Sequence, residues 1–113
     1  MSQLRDEEEG CEWDKAQNFQ SIAPYTIEEA YEVADAIDRN NIPDLIDELG
    51  DLLLQVVFLS QIAKEDKLFS FEDVVESISD KLIRRHPFVF SQKREHSIED
   101  QTCLLYTSDA ADD

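Results

Sequence analysis

The chain has 113 residues, a formal net charge of −17 and two cysteines, and these features exclude several classes of function. This length limits the chain to one small domain with a limited core of its own, which a partner chain could complete. Such an acidic protein repels nucleic acid phosphates, and it repels free nucleotides unless a cation bridges the two. The distant cysteines have no zinc-ligand spacing, which indicates a reducing compartment. Since no apolar run could serve as a signal peptide or membrane span, we expect a cytoplasmic protein.

The N-terminal part of the chain predicts one short helix. Residues 1–12 are acidic and lack periodicity, so we expect them to be flexible. Asp14 and Gln17 resemble a capping pair, and apolar residues then recur at helical spacing until Pro24 stops the pattern. Trp13 stands just before this helix, where it either packs against the helix entry or offers an aromatic platform for a base.

A second helix is predicted to begin near Ile27, because Thr26 and Glu29 form a capping box. Its apolar residues cover one side and its acids line up on the other. Taken alone, this is an ordinary amphipathic helix. Pro43 suits the first turn of the helix that follows.

The third helix, from Leu45 to Ala63, is apolar almost all the way round. A helix of this kind is buried on every side, which a small chain can hardly achieve without a second copy. One narrow polar stripe interrupts it and contains Asp44, Glu48, Asp51 and Gln55. Burying an unpaired carboxylate costs roughly several kcal/mol. We therefore expect a cation to meet these acids.

A fourth helix is predicted to begin after Ser70, with Asp73 at the reciprocal capping position. It ends near His86, because Pro87 disfavours helical geometry in the residue before it. The basic residues of its last turns are Lys81, Arg84 and Arg85. They either complement the helix macrodipole or bind phosphate.

The C-terminal segment does not continue the domain. Periodicity fades after residue 90, and residues 93–113 are expected to form a disordered tail. The last eleven residues, 103–113, read CLLYTSDAADD and resemble the in-frame translation of a sequencing adaptor. We expect this stretch to be non-native and the natural chain to continue differently.

The acidic residues of the second and third helices predict a metal site. Glu29 and Glu32 are one helical turn apart, as are Glu48 and Asp51, and the short link at 40–43 favours antiparallel packing. Carboxylates without His or Cys suit a hard divalent ion, Mg²⁺ before Ca²⁺ or Mn²⁺. Such a site supports metal-assisted hydrolysis of a phosphoanhydride, with Glu28 as the candidate proton acceptor. The basic turn at 81–85 would clamp the outer phosphates.

Three segments, which lie within residues 4–92, resemble the MazG nucleotide pyrophosphohydrolases. They are GCEWDKAQNFQSIAPYTIEEAYEVADAI at 10–37, DELGDLLLQVVF at 47–58 and ISDKLIRRHPFVF at 78–90. The family signature, EExxE followed by ExxD, is present as Glu28, Glu29, Glu32, Glu48 and Asp51. The chain resembles in particular the first of two tandem domains in the longer members.

The resemblance implies an all-α domain at residues 13–92 that completes a four-helix-bundle core by dimerisation or higher homo-oligomerisation. It implies Mg²⁺ dependence, with Mn²⁺ as an alternative, and hydrolysis of nucleoside triphosphates to monophosphate and pyrophosphate. Carried over by position, the magnesium ligands are Glu29, Glu32, Glu48 and Asp51, with Glu28 assisting. The substrate-binding residues carried over are Trp13, Lys15, Lys81, Arg84 and Arg85.

Hydrolysis of nucleoside triphosphates would serve as house-cleaning of the nucleotide pool. Two other functions remain open. Hydrolysis of phosphoribosyl-ATP uses similar helical carboxylates. A non-catalytic dimerisation or regulatory domain could instead use the acids to bind a structural metal or a basic partner.

Overall fold

The computed structural model describes residues 1–90, and its regular elements are all helices, which confirms the all-α prediction. In chain order they are α1 (Glu12–Lys15), α2 (Phe19–Asp38), α3 (Ile42–Glu65), α4 (Phe71–Arg84) and α5 (Pro87–Phe90). The chain divides into two compact units, one ending at Phe71 and one beginning at Glu72. The predicted tail at 93–113, including the adaptor-like stretch, lies outside the described residues.

One continuous helix, α2, replaces the two helices predicted on either side of Pro24. It begins after Asn18, whose side chain accepts a hydrogen bond from the Ser21 amide at 2.8 Å, and the Ser21 hydroxyl accepts one from the Asn18 amide at 2.8 Å. This is a reciprocal capping box. The capping box predicted at Thr26 is therefore wrong, because Thr26 lies inside the helix.

The core explains why Pro24 does not end α2. A proline inside a helix loses one backbone hydrogen bond and costs about 3 kcal/mol. Pro24 is exposed and lies close to the N-terminus of α2, where water can reach the freed carbonyl. Ile22, in the same turn, is only 1% exposed and packs in one cluster with Phe58 and Ile62 of α3. This tertiary burial holds the first turns of α2 in helical geometry.

A tight connection joins α2 to α3. Asn40 closes α2 with a φ of 55°, and Asn41 caps α3 by accepting a hydrogen bond from the Asp44 amide at 3.1 Å. Pro43 lies in the first turn of α3, as predicted. The two helices pack antiparallel along their length, since Ile22 meets Phe58 at one end and Arg39 meets Asp44 at the other.

Two apolar stripes of this hairpin remain exposed within one chain. On α3, residues spaced alternately four and three apart form a stripe opposite the polar one: Ile42, Ile46, Leu49, Leu53 and Val56. On α2, the stripe contains Ile27, Tyr31 and Ile37. These side chains are between 37% and 74% exposed. The burial of α3 on every side, expected from its sequence, is therefore not achieved by one copy of the chain.

The N-terminal segment, expected to be flexible, forms hydrogen-bonded turns. The Gly10 amide donates to the Asp6 carbonyl at 2.8 Å, and the Cys11 amide donates to the Leu4 carbonyl at 2.7 Å. Gly10 is required here, because a Cβ at this position would lie 2.4 Å from the Leu4 carbonyl oxygen. These turns surround Arg5, whose side chain reaches the C-terminal end of α3 at Glu65.

The second unit contains nearly all of α4, followed by α5. The end of α4 at Arg84, shortly before Pro87, agrees with the predicted stop near His86. None of the helices described is long and apolar enough to cross a membrane.

Candidate metal centre

Three carboxylates come together where α2 and α3 face each other. Glu48 and Asp51 lie one turn apart on α3, and antiparallel packing brings Glu29 of α2 against them. One carboxylate oxygen from each residue lies within 4.8 Å of the others. Glu29 and Glu48 are half-buried and Asp51 is exposed, so the group opens to solvent on one side.

The electrostatics of this group are unfavourable without a cation. Partial burial raises the pKa of Glu29, and the charge on Asp51 raises it further. Partial burial also raises the pKa of Glu48, and the charges on Glu32 and Asp51 raise it further. One carboxylate oxygen of Glu29 and one of Glu48 lie within 4.8 Å of each other, so their charges repel. Protonation relieves the repulsion, and a bound cation would relieve it without a proton.

The chemistry of the donor set fits Mg²⁺ or Mn²⁺. One Glu29 carboxylate oxygen, Oε2, is buried and has no hydrogen-bond partner within the described part of the chain. Buried polar atoms are normally paired, and an orphaned carboxylate oxygen in an acidic cluster is a natural cation ligand. The ligands are all carboxylate oxygens, and magnesium held by a few carboxylates keeps positions for water and phosphate oxygens.

The remaining two signature acids flank the group. Glu32 is exposed, one turn after Glu29, and its charge contributes to the raised pKa of Glu48. Glu28 is exposed and its charge contributes to the raised pKa of Glu29. The structure therefore brings three of the five predicted acids together and leaves two at the solvent side.

A neutral bridge lies one turn from the three acids. The Thr26 hydroxyl is 3.3 Å from Gln55 Oε1 and 3.4 Å from the Ile22 carbonyl, to either of which it can donate. Gln55 is 9% exposed and lies on the same stripe as Asp51. Thr26 precedes Glu29 by one turn, so this contact joins α2 to α3 beside Glu29, Glu48 and Asp51, which we call the acid cluster.

An aromatic group lies further along the same faces of the two helices. The Trp13 ring contacts Tyr25 edge-on at 5.9 Å between centroids, and Phe58 at 6.2 Å. Phe58 follows Asp51 by seven residues, which places it about 10 Å along the helix at 1.5 Å per residue. Trp13 is nevertheless 51% exposed. The ring packs on the helices and still presents surface to solvent, so its role as a platform for a base stays a prediction.

The predicted basic residues lie in two places. The Lys15 ammonium donates to the Glu7 carbonyl at 2.9 Å and pairs with Glu12 at 2.8 Å, so it is engaged within the N-terminal segment. Lys81 and Arg84 lie in the last turn of α4, and Arg85 directly follows it. Arg85 is buried, whereas Arg84 is exposed.

An open apolar cleft of about 500 Å³ lies on the first unit. Its walls are Phe19, Ala23, Thr26, Ile27, Leu59 and Phe69. None of these residues is charged, so the cleft offers no cationic group to a phosphate. It is continuous with the exposed stripe of α2 through Ile27.

Sequence reasoning missed Arg5, Tyr25 and Phe58. The two aromatic residues share helical faces with Glu29 and Asp51, at spacings of four and seven, which is a usable signal. Arg5 is the single basic residue among the first ten, surrounded by acids. That isolation was the only local indication of a specific partner.

Comparisons with known proteins agree with this geometry. A family model described as the MazG nucleotide pyrophosphohydrolase domain matches residues 17–90. The nucleoside triphosphate pyrophosphohydrolase of Escherichia coli (strain K12) is 60% identical over 91 residues, which are 80% of this chain and 35% of that protein. The nucleoside triphosphate pyrophosphohydrolase/pyrophosphatase MazG of Thermotoga maritima is 52% identical over 97 residues, which are 86% of this chain and 38% of that protein. The chain thus spans little more than a third of these relatives.

A solved structure shares the fold. The crystal structure of a mazG-related protein from Thermotoga maritima has a TM-score of 0.70 at 22% identity, covering 88% of this chain and 87% of that one. At this identity the likeness concerns the fold alone. The family match begins at residue 17, so Arg5 and Trp13 lie before it.

Proposed function

This chain belongs to the MazG nucleotide pyrophosphohydrolase domain family, and from that premise we propose that it hydrolyses a nucleoside triphosphate to the monophosphate and pyrophosphate. The observation that carries the proposal is the group of Glu29, Glu48 and Asp51, with one buried Glu29 oxygen that has no hydrogen-bond partner among residues 1–90. Its relatives named as nucleoside triphosphate pyrophosphohydrolases support the choice of substrate.

The acids of α2 and α3 would hold the metal. We assign Glu29, Glu48 and Asp51 as ligands of Mg²⁺, or of Mn²⁺ in its place, and Glu32, one turn after Glu29, as a fourth ligand. When bound, the ion neutralises the polyphosphate and lowers the pKa of water. Glu28 is exposed beside this group, and we assign it the proton released by the attacking water.

Other residues would orient the nucleotide. Trp13 offers half of its surface for stacking a base. The family resemblance alone makes Lys81, Arg84 and Arg85 our candidates for binding phosphate. Lys15 is a further candidate if it exchanges its ion pair with Glu12, and exposed pairs of this kind are weak.

We propose that the working form is a homodimer or a higher homo-oligomer. The stripes at Ile42–Val56 and Ile27–Ile37 give each hairpin an apolar side opposite its acids, and two such sides packed together would complete a four-helix core. The apolar cleft beside Ile27 extends this surface. Glutamate in place of Leu53 should turn the dimer into a monomer in sedimentation equilibrium, whereas an unchanged mass would contradict the assignment of this face.

The test of the reaction is product identification. Phosphorus NMR of common and damaged nucleoside triphosphates, and of phosphoribosyl-ATP, incubated with the protein should show pyrophosphate and a monophosphate only when Mg²⁺ is present. Turnover of phosphoribosyl-ATP alone would select the related activity. No turnover with any of them, together with a Mg²⁺-dependent rise in Tm, would select the non-catalytic module. If the triphosphatase is active, its place is house-cleaning of the cytoplasmic nucleotide pool.

A further inference from the structure

The helix that carries Trp13, α1, is too short to be stable by itself. α1 is a single turn of four residues, and none of them is buried. Isolated turns of this length are unstable in water, because nucleation fixes several residues for one hydrogen bond. Contacts from outside α1 must therefore fix the position of the indole.

Arg5 supplies one such contact and links it to the rest of the first unit. Its side chain is only 8% exposed. Its Nη1 donates to the carbonyl of Asp14, the residue after Trp13, and at 3.2 Å to the carbonyl of Gln17. One guanidinium nitrogen thus joins the end of α1 to the start of α2.

The same guanidinium is anchored to α3. Nε and Nη2 each donate to one oxygen of Glu65 at 2.9 Å, in the bidentate geometry that arginine favours with carboxylates. Its Cζ lies 5.6 Å from the centroid of the Phe58 ring, within the range of a cation–π contact. Phe58 is also the ring on which Trp13 packs.

We propose that Arg5 is a positioning residue for nucleotide binding: through the backbone at Asp14 and Gln17 and through Phe58, it holds the exposed indole of Trp13 ready to stack on a base. The inference rests on the proposed function, and it adds a residue that lies before the family match. Arg5 does not contact the nucleotide. A fixed aromatic surface lowers the entropy lost on binding, so Arg5 contributes to affinity rather than to the chemical step.

Trp13 is the only tryptophan in the chain, so its fluorescence reports on this position alone. Arg5→Met keeps the aliphatic length and removes the five donors. We expect acrylamide to quench Trp13 about twofold more strongly in this variant, since the anchored backbone is released. Arg5→Lys should show a similar increase in quenching, because an ammonium cannot form the two parallel hydrogen bonds of a guanidinium. Arg39→Met is the matched control, since Arg39 likewise forms ion pairs, with Asp35 and Asp44 in the α2–α3 connection, and lies outside the contacts of Trp13.

Nucleotide affinity provides the second measurement. The α,β-methylene analogues of the four common nucleoside triphosphates cannot be cleaved at the proposed bond, and the one that binds wild type most tightly serves as the probe with Mg²⁺. We expect Arg5→Met to weaken its binding about tenfold, with the far-ultraviolet circular dichroism unchanged. Glu65→Gln, which keeps the contacts to the two carbonyls, should give an intermediate loss.

The outcomes distinguish a failure of the role of Arg5 from a failure of the proposed hydrolase function. Equal quenching or equal analogue affinity in wild type and folded Arg5→Met would overturn the positioning role, as would failure of wild type to bind any analogue. If Arg5→Met does not fold, Arg5→Lys and Glu65→Gln decide in the same way. Binding of the analogue with the expected losses, but no cleavage of the triphosphate, would support the role of Arg5 and reject the hydrolase.

Discussion

Two groups of charged residues on the same hairpin are built on opposite principles. In the acid cluster, Glu29, Glu48 and Asp51 are crowded together, and the first two have raised pKa values. At the end of α3, Glu65 is paired with Arg5, and the hydrogen bonds from that guanidinium lower its pKa. We refer to the second group, Arg5 with Glu65, as the clasp.

The difference shows which charges serve structure and which serve a ligand. The clasp satisfies an acid at a helix C-terminus, where the macrodipole disfavours it, and so stabilises the fold. The acid cluster destabilises the free protein, because like charges are brought out of water together. Such an arrangement persists where a ligand uses it. Changes to the two groups should therefore have opposite effects on stability.

The largest expected effect is on activity. Asp51→Asn and Glu48→Gln should each reduce pyrophosphate release by about 100-fold or more, because the cation that would neutralise the polyphosphate loses one of its proposed ligands. The same variants should raise Tm in the absence of metal, since one repelling charge is removed. Enzyme assays and thermal melts in EDTA measure the two effects.

Asp38→Asn is the control for those variants, since Asp38 is an exposed acid at the end of α2, outside the cluster. It should leave activity unchanged. A ligand variant that keeps full activity, or that is less stable than wild type without metal, would contradict the assignment of the cluster.

Removing the clasp should lower the stability of the fold, in contrast to removing an acid from the cluster. Arg5→Met removes the ion pair of Glu65 and one hydrogen-bond donor from each of two carbonyls, which should lower the free energy of unfolding by about 2–3 kcal/mol. The midpoint of urea unfolding measures it, at an unchanged m-value. A loss near zero would show that the N-terminal turns do not contribute to the stability of the hairpin.

The neutral bridge between the two groups should have a smaller effect. Thr26→Val is close in shape and removes the hydroxyl that meets Gln55, so the buried amide loses a partner at a cost of about 1 kcal/mol. Thr26→Ser, which retains the hydroxyl, should recover most of this loss in the same unfolding experiment. A larger loss in Thr26→Ser than in Thr26→Val would assign the effect to the methyl group instead.

The smallest expected effect is the pH dependence of the metal-free protein. Glu29 and Glu48 have folded pKa values above the ordinary 4.5, so the stability they contribute is present below that value and is lost as pH rises through the raised values. Glu65 has a lowered pKa, so its contribution is present above 4.5 and is lost as pH falls. Glu29→Gln should flatten the upper part of the stability–pH curve and Glu65→Gln the lower part. If Glu29→Gln instead flattened the lower part of the curve and Glu65→Gln the upper part, the directions of the two pKa shifts would be contradicted.

The sequence predicted the parts of this structure that have local patterns. The two acid pairs have one-turn spacing, and the short link after α2 implies antiparallel packing, so the meeting of Glu29 with Glu48 and Asp51 followed from the chain itself. The end of α4 before Pro87 followed for the same reason. Family resemblance supplied the nucleotide, which no spacing of acids specifies.

The features that were not predicted depend on tertiary contacts. Pro24 is a strong local stop signal, but the burial of Ile22 against Phe58 overrides it. The clasp joins residues 60 positions apart, and an irregular segment has no periodicity that could reveal such a pair. Local patterns describe helices, whereas the conformation of the first twelve residues depends on contacts with distant parts of the chain, such as that of Arg5 with Glu65.

The central claim is that the acid cluster is held for a divalent cation, and thermal melts in a Mg²⁺ titration test it most directly. At a free Mg²⁺ concentration about 100 times Kd, binding should stabilise the fold by about 2.7 kcal/mol, which raises Tm by about 10 °C or more for a domain of this size. Wild type and Asp38→Asn should show this rise, and Asp51→Asn should show little or none. An equal rise in Asp51→Asn, or no rise in wild type, would contradict the claim.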